Sequence, residues 1–266
     1  MCRSFFTLLA LALAAALLNA CASRHTAAAL NDVESYIQER PDSALATLRA
    51  IDTTTLTTRK LRAQHALLHA IALDKNWIDT ADVNVVMPAV AYYDRHPSGI
   101  RRAKAWYYLG RILENNKDFA PAGIAFLKAE KYSEQTNDLR FKSLVYQSLS
   151  NNYNETHLYE EALRYTTLSY ELSVQDGDTL GANASLYRMA QDFNNVMVHF
   201  RDSFPDKKPQ NYQLVSFLFA GFDSSTICAA IPGFKKQNVH VEKYRLKQMI
   251  KDSDSQYKEQ FLELLS

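Results

Sequence analysis

The sequence is poor in the residues that several fold and function classes require. It has three cysteines in 266 residues, and two of them, Cys2 and Cys21, fall in the N-terminal segment. Cys228 is left alone in the body. One thiol cannot close an internal disulfide, so the fold must rest on a hydrophobic core. Seven glycines and seven prolines are few for this length, and Ala, Leu and Tyr are plentiful, which favours helices over a sheet protein. The formal charge is only +1, with no basic tract interleaved with aromatics. A nucleic-acid partner would need such a positive footprint, so none is expected. Motifs that carry chemistry are scarce too. The nearest thing to a phosphate loop, Gly177-Asp178-Thr179-Leu180-Gly181, lacks a lysine and reads as a helix-breaking turn. No Gly-x-Ser-x-Gly elbow occurs, and Cys228 has no histidine nearby in sequence. The sequence therefore predicts no cofactor and no enzyme.

The N-terminus is rich in one thing. After Arg3, an uncharged Leu/Ala-dominated run extends from Phe5 to Leu18. That is too short to cross a bilayer comfortably and fits the apolar region of a signal peptide, here residues 1–20. Leu18-Asn19-Ala20-Cys21 follows, and it resembles the bacterial lipobox. The resemblance implies that Cys21 becomes a lipidated N-terminus, with residues 21–29 as a linker. Several acyl chains, palmitate among them, would tether the body stably, where a single chain anchors only marginally. Ala22 and Ser23 follow the cysteine, so there is neither an Asp of the inner-membrane retention type nor an acidic surface-export cluster. The expected location is the bacterial cell envelope, lipid-anchored, at the outer membrane facing the periplasm.

The body is organised by a repeat. Ala103 to Glu134 contains Trp106, Leu109, Gly110, Leu113, Ala122, Phe126 and Ala129. These residues stand at the steps of the tetratricopeptide repeat, which the segment resembles, with Glu134 in place of the terminal proline. Gly110 and Ala122 are small where two antiparallel helices would cross. Asn115-Asn116-Lys117-Asp118 supplies a polar turn. A second copy, Phe141 to Gln175, carries Tyr146, Leu149, Ser150, Tyr153, Tyr159, Ala162 and Ser169, with Asn154-Glu155-Thr156-His157 as its turn. Ala122 and Ala162 stand 40 residues apart, longer than the usual repeat of about 34. The surplus is assigned to a connection at 135–138.

Weaker signals flank these copies. Pro41-Asp42 opens a helix with Leu45, Leu48 and Ile51 as its stripe. Thr57 to Asp74 predicts a long amphipathic helix, paired with Val85 to Tyr93. Leu180 to Asn194 predicts the first helix of a further hairpin without an evident partner. Pro205, Lys207, Lys208 and Pro209 read as a linker. Leu214 to Ile231 is mostly apolar, and Val239 to Leu265 predicts one charged amphipathic helix. Hence the expected organisation is an all-α, tetratricopeptide-like hairpin solenoid over 30–200. A linker, apolar segment and amphipathic helix fill 201–266. His65 and His69, one helical turn apart, could face a common metal, but no third ligand is evident and no metal is expected. Asp74, Asp79 and Asp82 lack the glycine and glutamate of a calcium loop.

Residues 30 to 200 also resemble the N-terminal half of a group of Bacteroidetes lipoproteins that join degenerate tetratricopeptide repeats to a transmembrane helix and a coiled coil. The likeness is carried by Glu39-Arg40-Pro41-Asp42-Ser43-Ala44, by Ala72-Leu73-Asp74-Lys75-Asn76 with Ile78-Asp79-Thr80, and by Tyr107-Tyr108-Leu109-Gly110-Arg111. It ends near Asn195. In tetratricopeptide arrays the first helix of each hairpin lines a concave groove. The resemblance therefore implies that Lys104, Tyr107, Arg111 and Glu114 point into it from one hairpin. Leu144, Gln147, Asn151 and Asn154 would do so from the next. Such a mixed polar set suits a protein or peptide partner. The expected function is a lipid-anchored binding or scaffold protein. The alternative is a membrane-bound signalling receptor whose span lies near 214–231, although Asp223 within that stretch opposes insertion.

Overall fold

A computed structural model describes residues 23–96, 98–231 and 234–266, so the expected signal peptide, residues 1–20, and Cys21 lie outside the described residues. The described residues are helical and contain no strand. The protein has an all-α fold, and the chain divides into two compact units, one ending at Asp138 and one beginning at Leu139.

In the first unit a helix covers residues 23–36 (α1), followed by α2 (Pro41–Ala50), α3 (Arg59–Lys75), α4 (Met87–Tyr93), α5 (Ile100–Asn115) and α6 (Phe119–Ser133). Residues expected to form a lipidated linker up to position 29 are thus helical from Ser23 on, with Thr26 and Leu30 buried. Leu30, Val33 and Ile37 form an apolar stripe at helical spacing, and burying it favours helix over linker. α2 begins at Pro41, where the missing N–H costs nothing. Thr58 caps α3 by accepting from the Leu61 N–H at 3.1 Å. The α5–α6 hairpin closes where Gly110 meets Phe126, which is fully buried.

The second unit holds α7 (Leu139–Glu155), α8 (Tyr159–Asp176), α9 (Thr179–Ser203), α10 (Pro209–Phe219), α11 (Ser224–Ala230), α12 (Lys236–Lys251) and α13 (Lys258–Leu264). α7 and α9 both pack on α8, and α13 reaches back to α8. Gly177 ends α8 in a left-handed conformation, and Asp178 caps α9 through the Gly181 N–H. The tail beyond residue 200 folds around Phe200, Phe219 and Phe261, whose ring centroids lie 5.3 to 5.8 Å apart. Each of these rings contributes about 2–3 kcal/mol by leaving water.

One local geometry recurs at a fixed interval. Trp77, Lys117 and His157 all have positive φ near 60° and stand 40 residues apart. At each, the N–H of the following residue bonds a carbonyl five back: Ile78 to Leu73, Asp118 to Leu113 and Leu158 to Tyr153. α3, α5 and α7 therefore end alike. α9 does not: the corresponding position is Met197, and the helix runs on to Ser203 because Val196, Met197 and Phe200 are buried in the tail core.

That continuation corrects the expectation of a helix ending at Asn194. Two more corrections concern the tail. The apolar stretch 214–231 is broken at Gly221 (φ 75°) into α10 and α11, of 11 and 7 residues. Among the described residues no helix is long and apolar enough to cross a membrane. Neither α10 nor α11 has the length that the span expected near 214–231 would need. Val239 to Leu265 is likewise two helices, bent after Lys251 so that both Ile250 and Phe261 reach the same core.

Candidate functional site

The eight residues assigned to a groove fall on two units, and the structure treats them differently. In the first unit, Tyr107 is 2% exposed, packed against Tyr108 and Phe126, and offers no surface to a partner. Its position on α5 turns it into the hairpin core, a correction to the groove-facing role. Arg111 donates to Asp74 Oδ1 at 3.1 Å and to Glu114 Oε2. Burial works against its charge, but Tyr107, Asp74 and Glu114 outweigh this and hold the guanidinium above its ordinary value. Lys104 is half-buried and helps stabilise the charge of Glu34, which Arg101 engages at 2.7 Å. This face is internally satisfied. His65 and His69 stand 5.8 Å apart, with His65 Nε2 at 3.1 Å from the Leu48 carbonyl. No metal-holding group is present among the described residues.

In the second unit, Gln147, Asn151 and Asn154 line open clefts. The helices behind them are held by small hydroxyl side chains. Ser143 Oγ lies 2.9 Å from Ser169 Oγ and 3.0 Å from Ser173 Oγ, and Ser169 lies 3.1 Å from Ser185. Ser150 bonds Thr166 at 2.7 Å, and Thr166 donates to Asp192 Oδ2 at 2.8 Å. Asn154 Nδ2 donates to Asp192 Oδ1 at 2.6 Å. Small side chains let α7, α8 and α9 approach, and their hydroxyls satisfy one another. Burial raises the Asp192 carboxyl, against hydrogen bonds from Asn154 and Thr166 that favour the anion.

This scaffold fixes the residues at its rim. Gln147 and Asn151 from α7 face Ala184, Ser185 and Arg188 from α9 across a cavity of about 80 Å³ floored by Thr166. A second cavity of about 300 Å³ adjoins Arg188 and is lined by Asn154, Gln191, Asp192, Asn194 and Asn195. Asn151 Oδ1 and Asn154 Oδ1 are buried acceptors without a hydrogen-bond partner among the described residues. The Arg188 side chain makes no ion pair or hydrogen bond among the described residues, and its influence on Asp192 is through charge alone. The site therefore offers unspent acceptors, an unspent cation and amides that both donate and accept. The hydroxyls that reach it, Thr166 and Ser185, are committed to the buried network.

Arg188, Gln191, Asp192 and Asn195 escaped sequence reasoning. The 40-residue interval held the signal, since it carries Asn151 onto Gln191 and Asn154 onto Asn194. No protein-family model matches the chain, and no curated protein matches it either.

Proposed function

We propose that this chain is a lipid-anchored binding protein of the bacterial envelope, not an enzyme. Its tetratricopeptide-like hairpins would hold an extended peptide segment of a protein partner in the α7–α9 clefts. The observation that carries this reading is the pair of unpaired amide oxygens, Asn151 Oδ1 and Asn154 Oδ1, beside the uncommitted Arg188. A buried acceptor without a donor costs about 1–3 kcal/mol, which a ligand N–H recovers on binding. A peptide backbone presents N–H and C=O groups alternately, and the second kind suits Arg188 and the glutamine and asparagine amides. The regular 40-residue recurrence of turn geometry supports the repeat reading. The lipobox-like Leu18 to Cys21 supports the anchor.

The test is capture of a partner from envelope extract by the full chain and by an Asn151→Ala/Arg188→Ala variant of matched circular dichroism. The expected result is a partner held by the first and released by the second. Equal capture by both would show that these clefts do not recognise it.

A further inference from the structure

We propose that the cleft between the first turn of α3 and the end of α4 is a phosphate-group site that seats anionic lipid headgroups against the first unit. The cleft measures about 350 Å³, and three arginines, Arg59, Arg62 and Arg95, line it. No carboxylate lines it. The nearby acids are engaged elsewhere: Asp52 accepts from the Thr54 N–H at 2.9 Å, and Asp94 accepts from Arg102 at 3.0 Å and Trp106 at 3.3 Å. The side chains of Arg59 and Arg95 make no ion pair or hydrogen bond among the described residues. Arg62 spends one N–H on the Leu56 carbonyl at 2.9 Å, which fixes it and leaves its other donors. His96 is held by Nδ1 at 3.0 Å from the Tyr92 carbonyl and stacks on the Tyr92 ring at 4.4 Å, which leaves Nε2 uncommitted. Guanidinium donors match phosphate oxygens in geometry as well as charge. Pro88, Ala91 and the Tyr92 ring add an apolar wall suited to the glycerol edge of a lipid.

Position favours a headgroup over free phosphate. Ser23 Oγ lies 2.8 Å from Thr57 Oγ1, and Thr26 Oγ1 donates to Thr55 Oγ1 at 2.8 Å. The N-terminal helix is thus fastened to the strand of chain that enters α3, two residues before Arg59. Cys21 stands two residues before Ser23, within about 7 Å of chain. This choice of source rests on the lipid-anchor reading: acyl chains on Cys21 would enter the membrane beside the part of the first unit that carries the arginines.

The test uses the full chain with Cys21→Ser, floated with vesicles of phosphatidylcholine alone or with added phosphatidylglycerol. The apolar N-terminal segment contributes to both partitions and its Arg3 to the anionic one, so the ratio is compared between the chain and its cleft variants, which share that segment. An arginine near an anionic surface is worth about fivefold, so three predict a ratio of about a hundredfold at low salt, falling as salt rises. Arg59→Gln/Arg62→Gln/Arg95→Gln should lower the ratio about a hundredfold. Arg95→Gln alone, a milder change, should lower it about fivefold. A ratio near one for the unsubstituted cleft, or one kept by the triple variant, overturns the proposal. Calorimetry with inorganic phosphate is the second arm: arginine-dependent binding there with a vesicle ratio near one overturns the headgroup assignment. Failure of the wild-type chain to incorporate labelled palmitate, with the hundredfold ratio intact, supports the site and sinks the anchor alone.

Discussion

Gly110→Ala tests the closure of the α5–α6 hairpin. A β-carbon at position 110 would stand 2.5 Å from Phe126 Cε1 and 2.6 Å from Cδ1. Phe126 is fully buried and its ring is backed by Tyr107 at 5.8 Å, so it cannot swing aside. Overpacking of this kind costs about 1–3 kcal/mol, and this contact belongs at the upper end. Against it stands the gain of about 1 kcal/mol for alanine over glycine in a helix interior. The expected net loss is about 2 kcal/mol. In a Phe126→Leu background the ring edge is gone, and the same substitution should stabilise by about 1 kcal/mol. Urea unfolding of the full chain in a Trp77→Phe background, followed through Trp106 fluorescence, reads this hairpin directly, because Trp106 lies on α5 and Lys128 of α6 covers its ring at 3.7 Å. The double-mutant cycle should give a coupling of about 3 kcal/mol. If Gly110→Ala stabilises both backgrounds equally, the close approach is not what selects glycine.

Two further outcomes follow from local geometry. Lys117→Gly and Trp77→Gly relieve a left-handed conformation that costs an L-residue about 1–2 kcal/mol, and both side chains are exposed. Each should raise stability by about 1 kcal/mol in thermal melts, after glycine's larger unfolded-state entropy is allowed for. Burial, and then the hydrogen bond and charge of Glu263, push Glu160 up to about 7 from an ordinary 4.5. The folded value is the higher one, so this contribution is complete below pH 4.5 and is lost as pH rises through about 7. Glu160→Gln should flatten that window and stabilise the chain at pH 8. The gain should be on the order of 1 kcal/mol once solvent screening is allowed for. Melts of both proteins from pH 4 to 8 check the crossover, and parallel curves would refute it.

The hairpins were legible because their signals are local. Small residues at Gly110 and Ala122, a polar turn at 115–118 and an apolar 3.6-residue period act within one supersecondary unit. The tail was less legible, because its breaks depend on distant partners. Gly221 permits the bend between α10 and α11, but it is burial of Phe219 and Ile227 in one core that requires it. The site was half legible. Gln147, Asn151 and Asn154 were placed by the resemblance to the tetratricopeptide pattern, whereas Tyr107 at the same repeat position as Gln147 is large and apolar enough to be drawn inward. Arg188 belongs to a helix whose partner hairpin never comes, so the motif did not mark it.

α9 has a consequence for how the second unit is secured. Its 25 residues serve two masters: the first half completes the stack on α8, and the second half is the floor of the tail core. The stitch that returns the tail to the repeat, Gln260 to the His157 carbonyl, joins residues 103 apart in sequence. Contacts within a hairpin close short loops, whereas this one closes a very long loop and bears the larger entropy of closure. The chain should therefore zip its hairpins early and clasp α13 late. A cut at the apparent end of the repeats, near residue 200, would not release a tidy module: it would leave Val196, Met197 and Phe200 as an adhesive, half-wrapped stub.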